Sequence, residues 1–263
     1  TVLGTSTITN CSYTGNVTND FSGGIMGRNQ YLKYNSLEIT GCSMIGNVIG
    51  SFAGGICGAY AGNSGTCTVS QCYVTGTISG ANAGGICGYA TASGGTCTVE
   101  NCYTNFTTIT GNNMGGLVGD NPSNAIIIDC YVTGEWTGSN GAFVASGSAT
   151  GSGYLYKTSG SNQIGGGGTV SGGTVADLSV LEGTTGNLNP SIWLARSSEY
   201  PILQWQNIVT LTYYANGGTG APANQTGAPS SNVTLSSTKP TRSGYSFVDW
   251  NTSQDGTGTS YSP

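Results

Sequence analysis

Five times before Ala145 the chain repeats one pair of phrases in the same order, and no other feature restricts its fold as tightly. The first phrase is built on a cysteine: TITNCSYTGNV, EITGCSMIGNV, TVSQCYVTGTI, TVENCYTNFTT and IIIDCYVTGEW. Its cysteines are Cys11, Cys42, Cys72, Cys102 and Cys130, at intervals of 31, 30, 30 and 28 residues. The second phrase follows about a dozen residues later: GGIMG, GGICG, GGICG, GGLVG and a degraded GAFVA. A unit of this length is too short for a domain and must stack on its neighbours to bury an apolar face.

The period inside each copy is that of a strand. Ile8, Ile39, Val69, Val99 and Ile127 stand three residues before the cysteines, and Tyr13, Met44, Val74, Thr104 and Val132 stand two after. Apolar positions alternate over short runs, and no 3.6-residue period occurs, which argues against helical repeats. The expected fold is therefore all-β: a parallel β-solenoid of about five coils over residues 1–150, with equivalent side chains ~4.8 Å apart along a rod of about 24 Å. Cys11, Cys42, Cys72, Cys102 and Cys130 are expected to form one internal ladder, and Met26, Cys57, Cys87 and Val118 a second. The pairs Gly23 and Gly24, Gly54 and Gly55, Gly84 and Gly85, and Gly115 and Gly116 are expected to make the turns. Other glycines after the strands are expected to supply corners and close backbone approach.

The coupled phrases, G-G-I-C-G and G-G-L-V-G above all, resemble the GLUG-type repeats of large bacterial surface adhesins. The fourth copy departs from the pattern, with Phe106 where the others have glycine. After a Gly/Ser/Thr-rich stretch that includes Gly165–Gly168, residues 151–207 are expected to act as linker and solenoid cap. Leu178, Leu181, Trp193, Ile202, Leu203 and Trp205 are the candidates to cover the open end.

Near Ile208 the register changes. Two alternating stretches, Val209–Tyr213 and Val233–Leu235, are expected as strands, and Asn216-Gly217-Gly218 as a turn. The segment 208–263 resembles the Listeria–Bacteroides repeat, the B-repeat module of internalin-like surface proteins. The resemblance rests on Tyr214-Ala215-Asn216-Gly217-Gly218, Lys239-Pro240-Thr241-Arg242, Gly244-Tyr245-Ser246-Phe247, Trp250-Asn251 and Asp255-Gly256-Thr257-Gly258. It implies a small β-grasp-like spacer, truncated at Pro263. With a first residue of Thr1 rather than Met, the chain reads as a processed or excised fragment.

Composition limits the chemistry. Charged residues make up 6 %, net charge is −5, and the six Lys and Arg form no basic patch, so nucleic-acid binding is not expected. No apolar run approaches the ~20 residues of a membrane span, so no insertion is expected within this chain. The absence of histidine removes the commonest general base and metal ligand. Eleven Asp and Glu are scattered along the chain; Asp129 takes a corner position held by Asn10 and Asn101, where left-handed geometry is tolerated. We therefore expect no catalytic, cofactor-binding or metal-binding residues. The nine cysteines cannot all pair within the chain. Buried free thiols are favoured over a crossed pairing such as Cys57–Cys67, and metal binding is the least favoured.

The leading expectation is a non-catalytic, extracellular adhesin or stalk segment whose partner is a host or cell-surface protein or glycan. Self-association into a filament, through a sheet edge or solenoid end, is one alternative. A carbohydrate-active β-helix lyase or hydrolase is the other, and Asp129 or Glu135 would then carry the reaction.

Overall fold

The computed structural model describes residues 4–28, 36–59, 65–90, 94–120, 124–166, 169–227 and 233–263, so Gly167 and Gly168 of the glycine run lie outside the described residues. The chain divides into two compact units, Thr1–Ile202 and Leu203–Pro263.

In the first unit each copy of the repeat becomes a set of short strands. The first gives β1 (Thr5–Thr9) and β2 (Ser12–Thr14). The second gives β3 (Ser36–Thr40), β4 (Ser43–Val48) and β5 (Cys57–Ala59). The third gives β6 (Thr66–Ser70), β7 (Tyr73–Ile78) and β8 (Cys87–Tyr89), and the fourth β9 (Thr96–Glu100), β10 (Tyr103–Ile109) and β11 (Val118–Asp120). In the fifth, the first two strands fuse into β12 (Ala125–Thr133); β13 (Thr150–Lys157) and β14 (Thr174–Asp177) lie beyond the fifth copy.

Every pairing among β1–β14 is parallel, and each one among β1–β12 joins one copy to the next. The result is a parallel β-solenoid of about four turns, one for each interval between the five cysteine phrases, with three strand columns. The first is β1-β3-β6-β9-β12, the second β2-β4-β7-β10-β12, and the third β5-β8-β11. Register follows the sequence columns. Ile8, Ile39, Val69, Val99 and Ile127 are successive partners, as are Tyr13, Met44, Val74, Thr104 and Val132. Both series enter the core, and from the second copy onward each of these residues is 0 % exposed. Parallel pairing continues beyond residue 150 through β13 and β14, where Leu155 takes the place of the column cysteine beside Cys130.

The corners sit one residue before the cysteines. Asn10, Gly41, Gln71, Asn101 and Asp129 have φ of 54°, 66°, 50°, 50° and 49°, the left-handed region that Gly, Asn and Asp enter most cheaply. In the second and third copies the glycine four residues after the cysteine is not a corner. Gly46 and Gly76 lie inside β4 and β7, where a Cβ would come within 2.0 and 1.8 Å of the carbonyl oxygens of Gly15 and Gly46 on the neighbouring coil. These glycines permit close coil approach within a continuous strand. In the fourth copy Phe106 occupies this position, and β10 absorbs it with a register shift between Phe106 and Thr108. The ring is buried and meets Trp136 edge to face, with centroids 6.1 Å apart.

Thr104 stands where Met44, Val74 and Val132 stand in neighbouring coils. Its hydroxyl is buried with no hydrogen-bond partner. Replacing Thr104 by valine keeps the shape and removes an unsatisfied polar atom. We expect the unfolding free energy to rise by about 1–2 kcal/mol, measured by urea denaturation.

A second side-chain column points outward. Tyr73, Tyr103 and Tyr131 stack with centroids 5.2 and 4.8 Å apart. Two further strands, β15 (Trp193–Arg196) and β16 (Glu199–Leu203), pair with each other, and their segment runs along this flank. Trp193 is fully buried, 5.5 Å from the Tyr131 ring and 6.1 Å from Tyr103, and its indole N–H donates to Asn101 Oδ1 at 3.3 Å. Tyr131 Oη donates to the Pro201 carbonyl at 2.8 Å. Trp193 therefore covers the side of the tyrosine stack rather than an open end of the solenoid. Leu178 and Leu181, in a 3-10 turn after β14, are also buried.

The second unit consists of small antiparallel sheets. β17 (Val209–Leu211) pairs with β18 (Gln225–Gly227), and β19 (Trp250–Asn251) with β20 (Ser260–Tyr261). The stretch 233–235 is not a strand, correcting the expectation from alternation. Side chains hold it instead: Gln225 Nε2 donates to the Thr234 carbonyl at 3.1 Å, and Ser236 N–H to Tyr213 Oη at 3.0 Å. Among the described residues no helix is long and apolar enough to cross a membrane.

Candidate functional site

The column cysteines make hydrogen bonds that recur from coil to coil. The amide of Cys11 donates to Cys42 Sγ at 3.4 Å, Cys42 to Cys72 at 3.3 Å, Cys72 to Cys102 at 3.4 Å and Cys102 to Cys130 at 3.4 Å. Each buried thiol in turn donates to the carbonyl two residues earlier: Thr40, Ser70, Glu100 and Ile128, at 3.4, 3.1, 3.2 and 3.1 Å. The thiol thus supplies an acceptor for a corner amide and caps a corner carbonyl, so that buried backbone groups remain paired. Cys11 is exposed on the first coil, and the other four are buried. The hydrogen bond with Cys72 and burial push Cys42 above the ordinary thiol value, while burial chiefly raises Cys72 and Cys102 and takes Cys130 up to about 12. Thiols so placed stay protonated and unreactive near neutral pH.

Met26, Cys57, Cys87 and Val118 occupy successive positions of the third column, which continues through Val144 to Ile164. The glycine pairs just before them are fixed by two different contacts. A Cβ on Gly23, Gly54, Gly84 or Gly115 would lie 1.8–2.2 Å from the carbonyl oxygen three residues ahead. On Gly24, Gly55, Gly85 or Gly116 it would lie 2.0–2.5 Å from a carbonyl oxygen on the next coil. The first glycine therefore allows the tight turn, and the second allows the coils to touch.

The structure adds a grouping that the two columns read separately do not reveal. Cys67 and Cys97 are register partners in the first strand column, as Cys57 and Cys87 are in the third, and the two pairs meet in the core. Cys97 Sγ donates to Cys87 Sγ at 3.7 Å. Cys57 hydrogen-bonds to Cys67 and Cys87, and Cys97 bonds to the same two, closing a ring of four thiols. The signal was present as the ten-residue offset that Cys57–Cys67 and Cys87–Cys97 share. Among the described residues no group of three or more His, Cys, Asp and Glu is arranged to hold a metal ion.

The carboxylates do not converge. Asp129 turns its carboxylate back onto the corner, where Oδ1 accepts the Tyr154 amide at 2.8 Å. Glu38 pairs in register with Thr7 and Thr68, Glu100 with Ser70 and Ile128, and Glu135 is exposed beyond β12.

In the second unit a cleft of about 560 Å³ is lined by Lys239, Arg242, Tyr245, Phe247 and the Gly217-Gly218 turn. Arg242 donates to the Asn216 carbonyl at 3.0 Å and lies 4.2 Å from the Tyr245 ring centroid, so its charge is largely engaged in bracing the turn. Asn251 and Asp255 order the following loop: Asn251 Oδ1 accepts the amides of Ser253 and Gly258, and Asp255 Oδ1 accepts from Ser253 Oγ and from the Thr257 amide and hydroxyl. These donors lower the Asp255 carboxyl to about 2. The loop stabilisation from this carboxylate is then present above the ordinary value of 3.8 and lost as pH falls through about 2; NMR titration is expected to place its midpoint near there.

No curated protein matches the chain, and no solved structure does. Residues 210–263 match the family model of the Listeria–Bacteroides repeat domain. The match supports a Listeria–Bacteroides repeat module at the end of a chain whose first unit is a parallel β-solenoid.

Proposed function

We propose that the chain is a non-catalytic segment of a bacterial cell-surface adhesin or stalk, a rigid β-solenoid followed by a spacer module, which presents or mediates adhesion. One observation carries the reading: the same chain joins a parallel β-solenoid to a module typical of bacterial surface proteins. That combination fits a surface or structural repeat protein. The resemblance of the coupled phrases to GLUG-type adhesin repeats, and an extracellular location, belong to the same reading. So does the absence of catalysis: Asp129 serves a corner, and the column thiols are held protonated in a dry core. The partner is a protein or glycan of a host or neighbouring cell. The test is a binding screen of the purified chain against matrix proteins and host glycans, with saturable binding expected. Failure to bind any of them would favour a purely structural stalk. Release of reducing ends from pectin, alginate or mucin glycans, abolished by substituting Asp129 or Glu135, would replace this reading with the enzymatic one.

Self-association has one observation in its favour. β1 and β2 end the order of the large sheet, and side chains of both strands are largely exposed. An open parallel edge accepts a further strand. Electron microscopy of concentrated protein, showing filaments rather than single rods, would favour that alternative.

A further inference from the structure

The nine cysteines fall into two chemical groups. Five lie in the column that the repeat conserves in every copy, and the structure assigns them a backbone task. The other four are Cys57, Cys67, Cys87 and Cys97. Their hydrogen-bond partners are one another, and each is at most 1 % exposed. Nothing in the backbone explains their presence. Coils of the same design manage without them, placing Met26 with Leu37 and Val118 with Ala125 at the same two positions. Cysteine appears at both positions or at neither. That co-occurrence within one chain selects for a pair across the coil, from the third strand column to the first.

We propose that Cys57 with Cys67, and Cys87 with Cys97, are two disulfide sites that cross-brace adjacent coils of the solenoid core. The geometry favours this pairing over one along the columns. Cys57 and Cys87 are register partners whose side chains point the same way, at the ~4.8 Å coil spacing. A disulfide needs Cβ atoms about 3.8 Å apart and facing each other. Cys87 and Cys97 come from two faces that look inward at each other, and their sulfurs already touch at 3.7 Å. The pairing also resolves the odd total, with two bridges and five column thiols left free.

The oxidant is a low-molecular-mass disulfide of the oxidised-glutathione class. The thiolate of one cysteine attacks a sulfur of that disulfide, forming a mixed disulfide and releasing one small thiol. The partner thiolate then attacks the protein sulfur and displaces the second small thiol. Each bridge thus loses two hydrogens and two electrons, which leave in two molecules of small thiol. Since the folded core excludes the oxidant, the bridges close while the coils are still assembling. This chemistry does not depend on whether the chain binds a host surface.

The test is to refold the reduced full chain in oxidised and reduced glutathione at about pH 8, then alkylate it in denaturant. Expected are five alkylated cysteines, an intact mass lower by four hydrogens per chain before alkylation, and peptides linked 57–67 and 87–97. Cys97→Ala, the residue that the next coil uses, should leave the 57–67 link and free Cys87. Nine alkylated cysteines, links 57–87 and 67–97, or a bound metal released by chelator would each overturn the proposal. If Cys97→Ala fails to fold, the wild-type peptide map alone decides.

Discussion

Gly88→Ala is expected to prevent the solenoid from folding, whereas Gly27→Ala, at the same place in the repeat, is expected to be nearly silent. Both residues close the Gly-Gly phrase in their copies. A Cβ on Gly88 would sit 2.1 Å from the Phe52 carbonyl oxygen and 2.5 Å from the Ala53 carbonyl carbon, both in the backbone of the preceding coil. Backbone atoms cannot swing away as a side chain can, so the coils would have to separate. Overpacking of this kind costs more than the usual 1–3 kcal/mol, and a loss above about 4–5 kcal/mol is a large part of the ~5–15 kcal/mol that holds a domain together. Gly58 repeats the contact, at 2.4 Å from the Phe21 carbonyl oxygen. At Gly27 a Cβ meets nothing within 4 Å, and the change should stay within about 0.5 kcal/mol. Urea denaturation followed by far-UV circular dichroism measures all three. Equal tolerance at Gly27, Gly58 and Gly88 would mean that the coils do not stack at this spacing.

That contrast also shows what the sequence could reveal. The repeat specifies which residues become equivalent, because a period of about 30 residues with strand alternation leaves stacked coils as the arrangement that buries Ile39, Val69 and Val99 together. It does not specify what a conserved glycine is for. Gly76, for which the sequence leaves a corner and a close backbone approach equally open, lies within β7; a glycine needed for a turn and one needed for a close approach look alike in one dimension. The thiol ring was hidden for a related reason. Columns run along the stack and are visible as periods, but contacts across the core depend on how far each coil turns between Cys57 and Cys67. The flank was harder still. Tyr103 and Tyr131 alternate with core residues, and only the fold shows that Trp193, far along the chain, covers them. In the second unit, strand alternation at 233–235 was misleading because hydrogen bonds with the side chains of Gln225, which donates, and Tyr213, which accepts, hold that stretch without a ladder.

The solenoid is also expected to unfold in mild alkali, well before its peptide bonds are at risk. Cys72, Cys102 and Cys130 are 0 % exposed, and burial raises all three above the ordinary thiol value of 9.0. In the unfolded chain these thiols ionise near 9; in the folded chain they keep their protons, Cys130 until about 12. Above 9 the unfolded state therefore binds fewer protons than the folded state, and stability must fall as pH rises. Stability from this source is fully present below the unfolded value and is lost progressively toward the folded one. Each thiol removes about 1.4 kcal/mol per pH unit while the folded state alone keeps its proton, so Cys72 and Cys130 together remove about 3 kcal/mol per unit, and Cys102 adds to the loss. Tyr131, whose phenol burial raises well above 10, adds to the loss from that pH upward. The urea midpoint should be flat from pH 7 to about 8.5 and collapse over the next two units. Cys130→Ala should lower stability at pH 7, because Cys102 loses its amide acceptor and the core gains a void, yet make the alkaline slope shallower by about 1.4 kcal/mol per pH unit. A change in intercept alone could be ordinary core damage. A change in slope comes only from a proton that the folded state holds and the unfolded state releases, so the slope tests whether the column thiols form a dry core. A midpoint that stayed level to pH 11 would mean that water reaches the column, and that the hydrogen bonds from coil to coil through sulfur do not exist in solution.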